Sequence, residues 1–204
     1  MNFLSHLHLA EATPESRLGS LLGDFVRGYP WDERYPRPVW QGIMEHRYVD
    51  SFTDRHEAWK MSRDLLPRET RRYAGIVVDI FYDFFLHRHW RRFSPDQSLL
   101  GFVEEVHDQL TEVLSLAPGE AKGAIEAMID EKWLLEYGSL DGIDRTLQLV
   151  SYRVPILSPI HGAAKLLEGN LERFESHFLE FYPDLVAYVP GVREEIRQEC
   201  ENSP

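Results

Sequence analysis

Histidines and aspartates gather in the first half of the chain at spacings that suit a metal site. Six of the nine histidines come before residue 90: His6, His8, His46, His56, His87 and His89. Three pairs are four residues apart: His46/Asp50, Asp50/Asp54 and Asp79/Asp83. Since residues four apart share a helix face at about 5–6 Å, each pair could converge on one ion. Imidazole and carboxylate ligands suit Mn²⁺, Mg²⁺, Zn²⁺ or Fe²⁺, and the lack of thiolates disfavours a structural zinc site.

Three of the aspartates lie in apolar surroundings, whereas His46 is the stronger candidate because it lies beside Arg47 and four residues before Asp50. Asp79 and Asp83 interrupt the apolar and aromatic run 76–85, and Asp24 interrupts the run 21–26. An unpaired buried carboxylate costs several kcal/mol, so a cation or a strong donor must face each one. The alternative to a metal is an Asp–Arg pair, for which Arg47, Arg71 and Arg72 are available.

Other common chemistries have little support in the sequence. The chain contains no Gly-x-Ser-x-Gly motif, no phosphate-binding loop ending in Gly-Lys-Ser/Thr and no dinucleotide fingerprint. Cys200, the single cysteine, has no histidine near it in the sequence and makes a poor nucleophile. The more isolated His107, His161 and His177 are interpreted as structural residues.

The elements that must position these side chains are helices. Helical periodicity runs almost from end to end, without the apolar–polar alternation of strands and without internal repeats. The pattern predicts helices over 3–10, 15–27, 39–53, 57–66, 69–93, 97–115, 119–137, 141–153, 160–181 and 184–199. Residues 29–38 are predicted to form a proline-rich loop, and a break is predicted before Pro183. We therefore predict an all-α, single-domain helical bundle over 1–204, with the site drawn mainly from residues 1–93.

Charge and hydropathy narrow the classes of partner. The net charge of −12 argues against a nucleic-acid binder, and no apolar run approaches a membrane span. Segment 55–92 differs, with nine Lys or Arg against five acids, which leaves +4 there and −16 elsewhere. Such a basic patch on an acidic protein indicates an anionic partner met at one place, although solvated helix faces would also account for it. The N-terminal residues lack a secretory signal and one cysteine gives no internal disulfide, so a cytoplasmic location is expected.

Several segments, in order and spacing, carry a resemblance to a known family. They are MNFLSHLHLA at 1–10, GDFVRG at 23–28, HRYVDSFTD at 46–54, RR at 71–72, DIFYDFFL at 79–86 and HW at 89–90. Together they resemble the acyl carrier protein phosphodiesterase family, closely to about residue 93 and more loosely to the end, where KWL at 132–134 is similar.

The resemblance implies a fold, a reaction and a set of site residues. The implied fold is distantly similar to the all-helical HD-type metal phosphohydrolases. The implied reaction removes the 4′-phosphopantetheine arm from holo acyl carrier protein, with Mn²⁺ favoured and Mg²⁺ or another divalent ion as substitutes. Water attacks phosphorus in line and the carrier serine leaves. The implied metal ligands are His6, His8, Asp24, His46, Asp50, Asp79 and Asp83, with Asp54 also in the site region.

Roles for further residues follow from their own chemistry in the implied reaction. Asp24, Asp50, Arg47 and Arg72 are the expected catalytic residues, because arginine geometry suits phosphate. Arg71, Arg91 and Arg92 are expected to bind the acidic carrier protein. The sequence departs from the family in one place, since Phe84 stands where a histidine commonly follows the second aspartate. If that histidine is a ligand, His87 or His89 would have to replace it.

Three other functions fit the same residues. One is a metal-dependent phosphohydrolase acting on a nucleotide or another small phosphoester. A second is a non-catalytic helical module that binds the carrier protein or a ligand, which predicts no tightly bound transition metal. A third is a purely structural helical protein, in which the buried aspartates would pair with arginines.

Overall fold

The computed structural model describes residues 1–28, 34–153 and 155–202, and in these ranges it is helical without any strand. Its α-helices are α1 Phe3–Leu9, α2 Pro14–Leu22, α3 Arg37–Arg55, α4 Glu57–Asp64, α5 Arg68–Arg71, α6 Ala74–Arg88, α7 Trp90–Phe93, α8 Leu99–Val113, α9 Gly119–Asp130, α10 Trp133–Glu136, α11 Leu140–Arg153, α12 Ala164–Gly169 and α13 Leu171–Asn202. Short 3₁₀ turns cover Leu114–Leu116 and Pro155–Ile160. The all-α prediction is confirmed. Part of the predicted loop at 29–38 lies outside the described residues, and its last two residues belong to α3.

Local sequence signals start some of these helices. The Thr13 hydroxyl accepts a hydrogen bond from the Ser16 amide, and Pro14 occupies the first turn of α2. The Ser98 hydroxyl accepts from the Gly101 amide at the start of α8. Such caps satisfy amides that have no partner inside the helix. The starts of α2 and α8 are therefore specified by residue type.

The helix predicted over 69–93 is wrong in extent, because the structure divides it into α5, α6 and α7. The break between α6 and α7 lies at His89, whose Nε2 is 2.6 Å from Glu175 Oε1 on α13. The Trp90 indole donates to the Gln97 carbonyl at 2.8 Å, which turns the chain toward α8. Similarly, α2 ends at Leu22 rather than near residue 27, with Gly23 as its C-cap. Contacts with distant residues thus decide where these helices end.

The predicted break before Pro183 is also wrong, since α13 continues through Pro183 and Pro190. Each proline removes one backbone donor and crowds the preceding turn, which costs about 3 kcal/mol in a helix interior. Burial offsets this cost, because one face of α13 is apolar and buried along its length. The buried residues are Phe174, Phe178, Phe181, Tyr182, Leu185, Val189, Val192 and Ile196. No helix among the described residues is long and apolar enough to cross a membrane.

Two glycines allow α2 and α3 to make a close backbone contact. A Cβ on Gly19 would lie 2.1 Å from the Val39 carbonyl oxygen, and one on Gly42 would lie 2.6 Å from the Ser16 carbonyl oxygen. These separations are too short for any side chain, so the two backbones approach as only glycine allows. The contact brings the C-terminal end of α2 beside the middle of α3.

Candidate metal centre

Three side chains from α1 and α3 converge on one point. Donor atoms of His6, His46 and Asp50 all lie within 4.8 Å of one another. Asp50 connects the two imidazoles, because Oδ1 is 3.2 Å from His6 Nε2 and Oδ2 is 3.1 Å from His46 Nε2. The two rings stack with centroids 3.9 Å apart and planes 11° apart. The arrangement presents two ring nitrogens and a carboxylate to the same small volume.

The end of α2 fixes the orientation of His46. Its Nδ1 lies 2.7 Å from the Ser20 carbonyl oxygen, an acceptor that requires the proton on Nδ1. Nε2 is thereby turned toward Asp50 and toward Asp24, whose Oδ1 is 3.5 Å away. A Cβ on Gly23 would lie 2.1 Å from His46 Cδ2, so the ring rests directly on the Gly23 backbone. In metal-binding histidines, the ring nitrogen that does not bind the metal typically donates a hydrogen bond of this kind.

The protonation states follow from burial and from these carboxylates. Burial and the neighbouring His46 lower the pKa of His6 to about 4, which leaves His6 neutral near pH 7. Burial also lowers the pKa of His46, but its hydrogen bonds to Asp24 and Asp50 outweigh that effect and raise it to about 9. Burial raises the pKa of Asp50, yet the Met1 ammonium and both imidazoles hold it well below its ordinary value.

Asp79 reaches the cluster through the α-amino group of Met1. That amine is 2.9 Å from Asp50 Oδ1 and 3.1 Å from Asp79 Oδ2. The other Asp79 oxygen accepts a hydrogen bond from Trp59 Nε1 at 3.1 Å. Burial lowers the pKa of the amine, but the Asp79 and Asp50 charges overcome this and raise it to about 11. Burial raises the pKa of Asp79. A positive group therefore lies between the two aspartates.

The residues of the cluster fit a divalent cation. His6 Nε2 is buried, and its only close partner among the described residues is Asp50 Oδ1 at 3.2 Å, in a geometry too poor for a well-formed hydrogen bond. The neutral imidazole of His6 and the ionised carboxylate of Asp50 already face the position of such a cation, and His46 would join them on losing its proton. Asp24 borders the cluster with 58% of its side chain exposed, so the site is open to solvent on that side. Burial raises the pKa of Asp24, but the hydrogen bond to His46 outweighs it and holds the pKa below its ordinary value.

Asp83 lies outside the cluster and holds the start of α1. Its Oδ2 accepts from the Leu4 amide at 2.8 Å and the Asn2 side chain at 3.1 Å. Its Oδ1 accepts from the Ser5 amide at 3.0 Å and the Ser5 hydroxyl at 2.5 Å. Burial raises the pKa of Asp83 to about 6, although these hydrogen bonds lower it. These hydrogen bonds hold the start of α1 in place, and α1 carries His6.

His8 lies toward the other end of α1 and its ring nitrogens both have partners. Nδ1 is 2.8 Å from the Tyr182 hydroxyl, and Nε2 is 3.0 Å from the Ser94 hydroxyl. Burial lowers the pKa of His8 to about 4. The ring also meets Trp90 edge-on, with centroids 5.1 Å apart. The structure thus places His8 in the packing of α1 against α7 and α13, away from His6 and His46.

Two of the predicted arginines are engaged with backbone oxygens. Arg47 donates to the carbonyls of Val26 and Gly28 at 2.5 and 2.7 Å, which fastens the segment that follows Asp24. Arg71 donates to the Leu66 and Asp64 carbonyls at the end of α4. Neither guanidinium pairs with a buried aspartate, so the Asp–Arg alternative finds no contact among the described residues.

The other predicted residues lie at the surface. The Arg72 guanidinium stacks over the Tyr73 ring at 4.9 Å, and no described contact joins it to the cluster. Arg91, Arg92 and Asp54 are exposed. Neither candidate replacement for the family histidine reaches the cluster: His89 pairs with Glu175, and His87 packs against Gly138. Phe84 itself is buried in the core.

Four participants in the site were not among the candidates from the sequence. They are the Ser20 carbonyl, the Gly23 backbone, the Met1 amine and the Trp59 indole. Only Gly23 carries a local signal, because a glycine directly before a candidate ligand suggests close approach of the backbone. The backbone carbonyl and the amine depend wholly on tertiary packing.

The structure defines an all-α protein with a buried cluster of two histidines and a carboxylate, which opens to solvent beside a further aspartate. The sequence model of the acyl carrier protein phosphodiesterase family matches residues 1–185, and the chain belongs to this family. It is 38% identical over 186 residues to the acyl carrier protein phosphodiesterase of Enterobacter sp. (strain 638), covering 91% of this chain and 96% of the relative. The namesake from Salmonella agona (strain SL483) is 38% identical over 187 residues, with 92% and 96% covered. No solved structure matched, so the likeness to HD-type phosphohydrolases stays a prediction.

Proposed function

We propose that this protein is a metal-dependent phosphodiesterase that removes 4′-phosphopantetheine from holo acyl carrier protein and leaves the apo form. The names of its relatives support the substrate. The observation that carries the proposal is the convergence of His6, His46 and Asp50 beside the exposed Asp24. Such a site joins ligands for an ion to an opening through which a phosphoester can enter.

The chain supplies the ligands and the group that orients water. His6, His46 and Asp50 would hold Mn²⁺, or Mg²⁺ or another divalent ion in its place. When bound, the ion supplies a Lewis acid that polarises the phosphoryl group and acidifies water. Asp24 is ionised and exposed next to these ligands, so its carboxylate accepts a hydrogen bond from the attacking water. Arg47 acts as a positioning residue, because it ties down the segment after Asp24.

The reaction is a hydrolysis at phosphorus. The water oxygen forms a new bond to phosphorus, and the bond from phosphorus to the carrier serine oxygen breaks. The serine oxygen takes up a proton, so the products are apo carrier protein and free 4′-phosphopantetheine. The site needs no further co-reactant for this balance.

Arg91 and Arg92 are the cations best placed to meet the acidic carrier protein. Three other cations of segment 55–92 have acidic partners, since Lys60 pairs with Glu57, Arg63 with Asp64 and Arg88 with Glu175. Arg55 and Arg71 donate to backbone carbonyls instead, Arg72 lies over the Tyr73 ring, and Arg68 is exposed. Arg91 and Arg92 are exposed, and among the described residues no carboxylate pairs with either of them. Their charge is therefore free to steer a negatively charged partner. We place the activity in the cytoplasm, because a chain with one cysteine has no disulfide framework that needs an oxidising compartment.

The test is a mass measurement on the carrier protein. The purified protein is incubated with holo acyl carrier protein and Mn²⁺, and intact-protein mass spectrometry follows the carrier. We expect loss of the phosphopantetheine mass by the wild type and by Asp108→Asn, whose exposed aspartate lies in α8 away from the cluster. EDTA and Asp50→Asn should abolish the loss. An unchanged carrier mass with bound Mn²⁺ would favour another phosphoester, and an unchanged mass without bound metal would contradict the enzyme proposal.

A further inference from the structure

A groove between α10 and α11 lies close to the candidate metal centre and has no role in the mechanism above. Trp133 and Leu149 contribute its apolar surface, and Glu131, Glu136 and Arg145 border it. Leu149 is 42% exposed, which is high for a leucine on a helix that packs against the core. An exposed apolar surface next to a reaction site is typical of a site that binds part of the substrate.

A short path connects this groove to the metal centre. Phe3 stacks on Trp133, with ring centroids 6.3 Å apart and planes 12° apart. Phe3 is two residues from Met1, whose amine contacts Asp50 and Asp79, and two residues span at most about 7 Å. Phe3 also lies about one helical turn, roughly 5.4 Å, from His6 on α1, so the indole that lines the groove is within the reach of an extended substrate whose phosphate is at the cluster.

The backbone before Trp133 is strained in a way that sets the position of the indole. Lys132 has φ 54° and ψ 40°, the only positive φ of a non-glycine residue in the described part of the chain. This left-handed conformation costs about 1–2 kcal/mol for such a residue. The Trp133 indole then donates to Glu131 Oε2 at 2.8 Å, which fixes the ring in place. A strained residue next to a fixed, partly exposed tryptophan suggests a binding role.

The charges around the groove nearly cancel. Arg145 forms an ion pair with Glu136, and the exposed Lys132 offsets the charge of its neighbour Glu131 beside Trp133. The groove therefore offers no net positive charge to a phosphate or an acidic protein surface. An uncharged chain with methyl groups and amides would pack on the indole and on Leu149.

We propose that the groove between α10 and α11 binds the uncharged pantetheine arm of the substrate while the phosphate occupies the metal centre. The inference rests on the proposed function and names the part of the substrate that this surface recognises. Trp133 is the main contact, Leu149 extends the apolar surface, and Phe3 supports the indole next to the cluster.

Direct binding of pantetheine tests the proposal without requiring turnover. Saturation-transfer NMR would detect free pantetheine on the wild type, Trp133→Ala, Leu149→Asp and Tyr152→Ala. Tyr152 is the matched control, because it is 72% exposed on α11 and does not line the groove. Leu149→Asp guards against misfolding of the tryptophan variant, since a partly exposed position tolerates a polar side chain. Thermal melts would verify that all four proteins are folded.

We expect pantetheine to bind the wild type and Tyr152→Ala and to lose its signal with Trp133→Ala and Leu149→Asp. With holo carrier protein as substrate, the same two variants should raise KM about tenfold and change kcat little, because distal contacts are alike in the ground and transition states. If pantetheine binds in this pattern but no carrier is cleaved, the groove stands and the proposed reaction fails. If no protein binds pantetheine, or all four bind it equally, the groove proposal is overturned, even where the carrier is cleaved.

Discussion

Single atoms explain why the cluster suits a cation. Both oxygens of Asp50 are shared, one between Met1 and His6 and the other with His46. The carboxylate therefore collects the positive charge of the site, and the proton on His46 occupies a position that a metal would take. The two oxygens of the Asp83 carboxylate, by contrast, accept hydrogen bonds from Asn2, Leu4 and Ser5. Two aspartates from the same candidate set thus have different roles.

Metal binding should release a proton from His46. Because the metal-free pKa is raised to about 9, His46 is protonated at pH 7 and must lose that proton to bind an ion. The apparent affinity for Mn²⁺ should therefore rise by up to about tenfold per pH unit below pH 9 and level off above it. Titration calorimetry in two buffers of different ionisation enthalpy should show about one proton released per ion at pH 7. The control variant His107→Gln, changed outside the cluster, should behave like the wild type. An affinity for Mn²⁺ that does not change with pH would contradict the assignment of His46 as a ligand.

Asp83 should make stability fall as the pH rises. Its folded-state pKa of about 6 lies above its ordinary value of 3.8, so the folded state keeps a proton that the unfolded chain loses in this window. The contribution of Asp83 to the free energy of unfolding has its full value below pH 3.8 and decreases by about 3 kcal/mol as the pH rises through 6. Denaturant unfolding of wild type and Asp83→Asn at pH 4 and pH 7 measures it. A difference between the two proteins that is equal at both pH values would contradict this prediction.

Helix packing decides whether those side chains meet. The contact of α2 with α3 at Gly19 and Gly42 sets the Ser20 carbonyl and the Gly23 backbone against His46. The Asp83 carboxylate fixes the start of α1, which brings His6 onto the same spot. The site is therefore built on rigid elements, and changes in packing far from any ligand should reach it.

Gly42→Ala should destabilise the protein and weaken metal binding together. The new methyl group would lie 2.6 Å from the Ser16 carbonyl oxygen, so the two helices must separate at a cost of about 1–3 kcal/mol. Gly123→Ala is the matched control, because Gly123 lies inside α9 with nothing within 4 Å of the added carbon. That change should stabilise the protein by about 0.5–1 kcal/mol. Thermal and denaturant unfolding, with Mn²⁺ calorimetry, test both, and equal stabilities for the two variants would refute the close contact.

The charge of the whole molecule opposes an acidic partner, while its local distribution does not. A net charge of −12 repels an acidic carrier protein at long range. Ion pairs neutralise three cations of segment 55–92 and leave six exposed arginines without a described acidic partner, among them the Arg91–Arg92 pair on α7. The attraction is thus limited to this segment, and salt should screen it.

Charge reversal at this surface should impair substrate capture. Arg91→Glu with Arg92→Glu should raise KM for holo carrier protein about tenfold or more at low salt and leave kcat nearly unchanged, because the contact lies away from the metal centre. The effect should shrink in 0.5 M NaCl. Lys122→Glu with Lys165→Glu, two exposed cations on α9 and α12, is the control with the same change in net charge. Steady-state kinetics at two salt concentrations decide the matter, and equal KM values for the variant and the control would exclude this docking surface.

The sequence by itself determined the helical class, most helix starts and the family, because caps and the 3.6-residue period act between near neighbours. It also supplied the candidate ligands, including the His46/Asp50 pair that one helix face brings together. Tertiary structure decided which candidates meet: His6 joins that pair, Asp24 borders it, and His8 and Asp83 lie elsewhere. It also carried α13 through two prolines, because burial of a long apolar face outweighs two lost hydrogen bonds. The physical reason is the same throughout, since contacts between distant segments depend on how whole helices pack, which no local spacing encodes.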